Sequence, residues 1–105
     1  MAYIPERGDV VWITFNPQAG RRPAVVLSPK AYNRKVGLAL LCPVTSQIKG
    51  YPFEVSIPEG LPVSGVVLSD QVKSLDWKAR KAAKACTLST DTVKSVLQRV
   101  KVLIE

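Results

Sequence analysis

The apolar residues in the first three quarters of this chain come in short runs, each cut off by glycine or proline before a helix could establish itself. Asp9 to Phe15 reads as a strand rich in β-branched and aromatic side chains, entered through Gly8 and left through Asn16-Pro17. Pro23 to Ser28 and Leu38 to Val44 are continuous apolar runs of strand length, the pattern of strands buried on both faces. Phe53 to Ile57 alternates apolar with polar residues, and Val66 to Ser69 and Val72 to Leu75 follow a Pro- and Gly-rich connector; each is expected to keep one wet face. Only the C-terminus has a strong helical pattern. Val93, Val96, Leu97, Val100, Leu103 and Ile104 fall on one stripe, behind Ser89 as N-cap. Asp91 in the first turn and Arg99 and Lys101 near the end match the polarity of the helix dipole. A short helical turn around Ala31 to Lys35 is the weaker helical signal. The expected fold is mainly β with a C-terminal helix: a small, strongly bent sheet or barrel, not a doubly wound one.

At 105 residues, 47% hydrophobic and 22% charged, the chain has globular composition and reads as one domain spanning 1–105, with no repeat, low-complexity segment or linker. It contains no histidine, which excludes Ser-His-Asp triads, paired-histidine ribonuclease chemistry, His-ligated haem and His-based zinc sites. Its two cysteines, Cys42 and Cys86, lie in separate segments, and no metal site or cofactor is expected. Residues 1–9 carry Glu6, Arg7 and Asp9 and no apolar stretch, so a cytoplasmic protein with reduced, structural thiols and no membrane segment is expected.

The net charge is +7 and unevenly spread. Seven basic residues and two acids precede Phe53, as suits a face that meets a polyanion; a merely well-solvated surface is an equal reading of charge alone. Arg21-Arg22-Pro23 sits where an exposed turn enters a buried run, and Pro23 holds Arg22 extended, giving its guanidinium a defined direction. This is either a fork for phosphate or carboxylate, or a solvated turn. The loop Pro43 to Gly50, rich in hydroxyls and amides, leaves the most apolar run and is a binding site or a surface turn on equal grounds. Lys73, Lys78, Arg80, Lys81 and Lys84 surround Trp77, a pattern that suits single-stranded nucleic acid or a core tryptophan with a charged rim. Trp12, inside a strand, is expected in the core. Phe15, at the strand end beside the arginines, is the better candidate for stacking on a base.

Taken in order, Gly8-Asp9-Val10-Val11-Trp12, Arg22-Pro23-Ala24-Val25-Val26-Leu27-Ser28-Pro29, Tyr32-Asn33, Pro43-Val44-Thr45-Ser46-Gln47, Lys49-Gly50-Tyr51-Pro52-Phe53-Glu54-Val55 and Asp70-Gln71-Val72-Lys73-Ser74 resemble the MazF/PemK (Kid) toxins over essentially the whole chain. The resemblance implies an SH3-like barrel of the CcdB/MazF type and a homodimer. It also implies a toxin of a type II toxin-antitoxin module: a sequence-specific, metal-independent endoribonuclease, or mRNA interferase. Such an enzyme cuts single-stranded RNA through 2′-OH attack, leaving a 2′,3′-cyclic phosphate and a 5′-OH. In the family's pattern the catalytic pair falls on Arg22 and Thr45, which could stabilise the charge that builds on the phosphoryl oxygens. Phe15 and Arg21 from the reading of the residues, with Gln47, Lys49, Gln71 and Lys73 from the family's groove, complete the expected RNA-binding set. Many members carry a longer first loop with a Gly-Ser-Glu-Gln-like stretch, whereas here Gln18-Ala19-Gly20-Arg21-Arg22 supplies no carboxylate. The implied partners are mRNA and a cognate antitoxin whose acidic, disordered segment covers the basic groove. Two alternatives belong to other classes: a CcdB-like gyrase poison, disfavoured because the chain ends Val102-Leu103-Ile104-Glu105 rather than Trp-Gly-Ile, and a catalytically inactive RNA-binding module.

Overall fold

The computed structural model describes residues 2–18 and 20–105; Met1, where the reading of the N-terminus begins, and Ala19 of the first loop lie outside the described residues. The elements are β1 (Asp9–Asn16), β2 (Gly20–Val26), α1 (Lys30–Val36), β3 (Ala39–Thr45), β4 (Glu54–Ser56), β5 (Val66–Leu68), β6 (Lys73–Leu75), β7 (Ala83–Thr87) and α2 (Thr90–Ile104). The strands form one seven-stranded sheet in the order β4-β5-β3-β2-β1-β7, with β6 also on β3, and every pairing is antiparallel. The mainly β expectation with its terminal helix holds, but the bent sheet does not close into a full barrel.

The bend is made at β3. Its first half, Ala39 to Leu41, pairs with β6, and its last two residues, Val44 and Thr45, pair with β5. Pro43 has no N–H to donate and falls in the gap between these two neighbours, where the outer ladder is interrupted. The twist then sends the β4–β5 hairpin away from the plane of β1 and β2.

Period-two alternation places a buried cluster on each side of the sheet. Val10, Val25, Leu27, Cys42 and Val44 face one side and are covered by Val55, Val67 and the α2 residues Val93 and Val96. Val11, Ile13, Ala24, Val26, Ala39 and Leu41 face the other, against Leu75 and Trp77, with Tyr3 and Ile4 at its margin. Trp77 is thus a core residue, and its Nε1 donates to the Asn33 carbonyl at 2.9 Å. Burial pushes the Cys42 thiol up to about 12, so this cysteine is a neutral packing element.

Two buried polar hubs tie the chain ends to this sheet. Asn33, fully buried in α1, donates to the Pro5 and Ser28 carbonyls and accepts from the Ser28 hydroxyl, which in turn accepts from Leu40 N–H. The Asp9 carboxylate accepts from the Tyr3 hydroxyl, Glu6 N–H and the Thr87 hydroxyl, with Lys84 Nζ at 3.6 Å. Burial of the ring, and after it the bond to Asp9, raise the Tyr3 pKa above its ordinary value.

Several expectations need correction. Trp12 is not in the core: it is 39% exposed. Arg21 and Arg22 belong to β2 itself, not to a loop before it. Leu40, within an otherwise buried β3, reaches the surface. The short helical turn is real and extends over the seven residues of α1. The seventh strand carried no sequence signal: Ala83 to Thr87 is poor in strand-forming residues and exists because β1 offers a free edge to Lys84 and Cys86. In α2 the stripe is buried or half-buried only through Val100, and Leu103 and Ile104 reach past the sheet into solvent. Ser89 caps the helix as expected, accepting from Thr92 N–H.

Candidate active site

The β2–β3 ladder runs Val26–Leu41, Val25–Cys42, Ala24–Pro43, and there it stops, because β3 turns away to pair with β5. Two more steps of the same register would set Arg22 opposite Thr45. Cross-strand partners point to the same face, so the two side chains are delivered to one spot at the mouth of an opened ladder. Pro23 helps to open it, since it has no N–H to offer across the gap.

Two hollows meet at this mouth. The first, about 480 Å³, is lined by Trp12, Arg21, Pro23, Val44, Ser46 and the Pro62–Ser64 segment. The second, about 190 Å³, is lined by Lys49, Tyr51, Glu54, Leu68 and Gln71. Arg22, Thr45 and Gln47 line both and form the divide between them.

Four of the guanidinium groups are engaged by the fold, and Arg22 at the divide is not. Arg7 donates to the Leu27 carbonyl, Arg21 to Trp12, Arg80 to Thr14 and Phe15, and Arg99 to Pro52 and Ser95. Among the described residues Arg22 makes no side-chain hydrogen bond or ion pair, although it stands in the middle of a concave, polar surface. Five donors therefore remain for a ligand. Thr45 Oγ1 accepts from Gln47 N–H at 3.1 Å, which fixes the rotamer and leaves the hydroxyl proton free to donate outward.

Thr45 is held from behind by Gly65, whose φ is +113°. A Cβ at residue 65 would lie 2.1 Å from the Thr45 carbonyl oxygen, so only glycine permits this approach. The loop beyond Thr45 is shaped by Glu54, whose two carboxylate oxygens accept from Lys49 N–H and Gly50 N–H at 2.9 and 2.8 Å. Tyr51 donates to Asp70 at 2.8 Å; the bond to that carboxylate raises the phenol pKa, keeping the hydroxyl a neutral donor. Among the described residues no group of three or more Cys, Asp or Glu is placed to hold a metal ion.

Of the residues singled out in the sequence, Arg22, Thr45 and Gln47 are brought together, with Lys49 and Gln71 in the second hollow and Arg21 in the first. Arg21 is partly committed through its bond to Trp12. Phe15 lines neither hollow: it is the extra residue of a bulge in β1 and packs half-buried on the Val11–Ile13 side. Lys73 also lies outside both hollows, in β6 opposite Leu41. The second basic cluster is divided, with Arg80 and Lys84 engaged by the fold. Trp12, Tyr51 and Glu54 were missed as lining residues. Glu54 carried only the signal of a wet strand face, and Trp12 sat among apolar neighbours that gave no sign of exposure.

A family model described as the PemK-like, MazF-like toxin of type II toxin-antitoxin systems matches residues 6–104. The chain is 48% identical to the endoribonuclease toxin MazF of Escherichia coli over 107 residues, covering 97% of this chain and 96% of that protein. It is 34% identical to the endoribonuclease toxin ChpB of the same species, over 95% of this chain and 94% of that one. The crystal structure of MazF from Deinococcus radiodurans superposes with a TM-score of 0.93 at 49% identity, covering 98% of both chains. A MazE-MazF complex from the same organism matches with a TM-score of 0.92 at 48% identity, covering 98% of this chain and 97% of that one.

Proposed function

The chain belongs to the PemK-like, MazF-like toxins of type II toxin-antitoxin systems, and from that premise we propose that it is an endoribonuclease whose cleavage site is the Arg22–Thr45 divide. The observation that carries this reading is an unengaged guanidinium beside a hydroxyl with a free proton, both at the mouth of an opened ladder. The ribose 2′-oxygen attacks the adjacent phosphorus and the bond to the 5′-oxygen breaks. A 2′,3′-cyclic phosphate remains on one fragment, and the departing 5′-oxygen takes up a proton. Charge accumulates on the non-bridging oxygens, where Arg22 and the Thr45 hydroxyl are placed to donate. The Glu54 oxygens are already held by Lys49 and Gly50 N–H. The 2′-hydroxyl gives up its proton to solvent as its oxygen attacks, and its activation rests mainly on its alignment beside Arg22.

Gln47, Lys49 and Gln71 would hold the strand on either side of the scissile phosphate. Phe15 and Lys73, outside both hollows, would act on more distant nucleotides. The protein acts as a single domain in the cytoplasm, as a homodimer, with no metal or other cofactor. No helix among the described residues is long and apolar enough to cross a membrane. The relatives solved as MazE-MazF complexes support an antitoxin partner. For a chain of charge +7 we expect it to bind through an acidic segment that orders over Arg21, Arg22 and Lys49 and displaces RNA.

Incubation with RNA in excess EDTA, followed by sequencing of the ends, tests the reading. Cyclic-phosphate and 5′-OH termini at short recurring sequences are expected, and a single 2′-deoxy substitution at the cut should abolish cleavage. Intact RNA would instead favour a binding module or a gyrase poison. Cutting of the deoxy substrate at an unchanged rate would exclude internal transesterification.

A further inference from the structure

Trp12 stands in the middle of β1, paired on one side with Pro23 and on the other with Ala83, where a tryptophan is ordinarily core. Its neighbours Val10, Val11 and Ile13 are fully buried, yet Trp12 is 39% exposed. The cover supplied by Val55, Val67, Val93 and Val96 packs on Val10 and Val25 but does not take in Trp12, and the indole is left as part of the wall of the first hollow. Beside it Pro23, Val44 and Val63 make an apolar patch in a hollow whose other walls are polar, through Arg21, Ser46 and Ser64, and whose rim is the Arg22–Thr45 divide. The second hollow has no such aromatic plate among its partly apolar walls; Lys49, Glu54, Gln71 and Leu68 line it, with the Tyr51 hydroxyl turned to Asp70.

From the exposed indole set beside the Arg22–Thr45 divide we infer that Trp12 is a stacking platform for the base on one side of the scissile phosphate. It adds affinity without reading sequence, while the second hollow reads the base on the other side. The inference rests on the Arg22–Thr45 divide being the cleavage site. Every nucleobase has a π-face, so an indole beside a phosphate-binding arginine holds any base. Discrimination needs donors and acceptors aimed at base edges, and Gln71 with the Lys49 loop supplies these in the second hollow.

Trp12→Ala should weaken binding of an RNA made uncleavable by a 2′-deoxy nucleotide at the cut on the order of ten- to a hundredfold. KM should rise with it, kcat should change little, and the profile of cleaved sequences should stay the same. Trp12→Phe should restore most of the affinity, and Gln71→Ala should alter the sequence profile instead. In the wild-type protein the uncleavable RNA should quench a fluorescence component that is missing from Trp12→Phe, where Trp77 alone emits. This readout stands even if the alanine variant folds poorly.

Wild-type affinity in a folded Trp12→Ala protein would overturn the inference. So would an altered sequence profile, or loss of the dimer by light scattering in Trp12→Ala, which would make the indole a contact between copies. A wild-type protein that cuts no RNA would overturn the cleavage-site reading itself, a separate result from a Trp12→Ala protein that cuts normally.

Discussion

Arg80 and Arg22 are the same side chain put to opposite uses. Arg80 closes the turn before β7 onto the end of β1, donating to the Thr14 and Phe15 carbonyls while its own carbonyl accepts from Thr14 N–H. Arg22, across the β1–β2 hairpin, donates to nothing among the described residues. Where the fold needed a clasp, the guanidinium's donors were committed to backbone oxygens. At the opened ladder they were left for a ligand, at the cost of an uncompensated positive charge on a concave surface. A residue type and a positive charge therefore do not mark a site; hydrogen-bonding capacity the fold leaves unmet, beside a second outward donor such as the Thr45 hydroxyl, is what makes Arg22 a candidate.

That contrast is broken if mutations in the two regions have the same signature. The largest effect is expected from Arg22→Ala, which should cost about 3 kcal/mol of transition-state stabilisation, the scale of losing one preorganised donor. Its melting temperature should stay at the wild-type value, because no intramolecular bond is lost. Thr45→Ala should follow the same pattern with a smaller loss. Single-turnover cleavage paired with calorimetry separates the two quantities, and an unfolded Arg22→Ala protein would place this arginine with Arg80.

Asn33→Ala should behave in the opposite way. Removing this buried hub strands the Pro5 and Ser28 carbonyls and the Ser28 hydroxyl, costing about 3 kcal/mol of stability at the usual scale for unsatisfied buried groups. Cleavage per folded molecule should be retained. Urea titration gives the first number, and activity normalised to the folded fraction gives the second. Arg80→Ala should also lower stability, by about 2 kcal/mol for its two charge-assisted bonds, with the same RNA ends produced. A changed cleavage pattern in Arg80→Ala would show that the clasp also shapes the site.

The smallest effect belongs to the far side of the molecule. Ser89→Ala removes the N-cap of α2 and should cost about 1 kcal/mol, with no change in cleavage. A kinetic effect there would mean that the helix communicates with the opened ladder.

Much of the architecture could be read in the chain because local rules govern it. Short apolar runs set off by turn residues became β1 to β6, since a strand's length and β-branched content act residue by residue. The i, i+3, i+4 stripe with Ser89 ahead of it became α2 for the same reason. Arg22 and Thr45 were singled out by the family's motif, and the surroundings of each, an extended arginine before proline and a hydroxyl loop after an apolar run, agreed with it.

What failed was whatever depends on a neighbour distant in sequence. Ala83 to Thr87 has no strand character of its own and pairs only because β1 would otherwise leave an open edge. Trp12 looks like core by every local measure and is exposed because the cover from β4, β5 and α2 packs on Val10 and does not take in the indole. The last turn of α2 is more apolar than the first, yet Val102, Leu103 and Ile104 are exposed, with nothing among the described residues packed on them. Phe15 has the chemistry of a stacking residue, but it packs half-buried against the cluster on the Val11–Ile13 side. Sequence alone determined the strand-sized runs, the two alternating faces, the terminal helix and the absence of any histidine-based chemistry, because each follows from the side chains of one segment. Only the tertiary structure decided that Arg22 and Thr45 share one mouth, with an exposed indole on one side and polar groups on the other. That arrangement depends on where a ladder stops, and a ladder stops where a third strand competes for its edge.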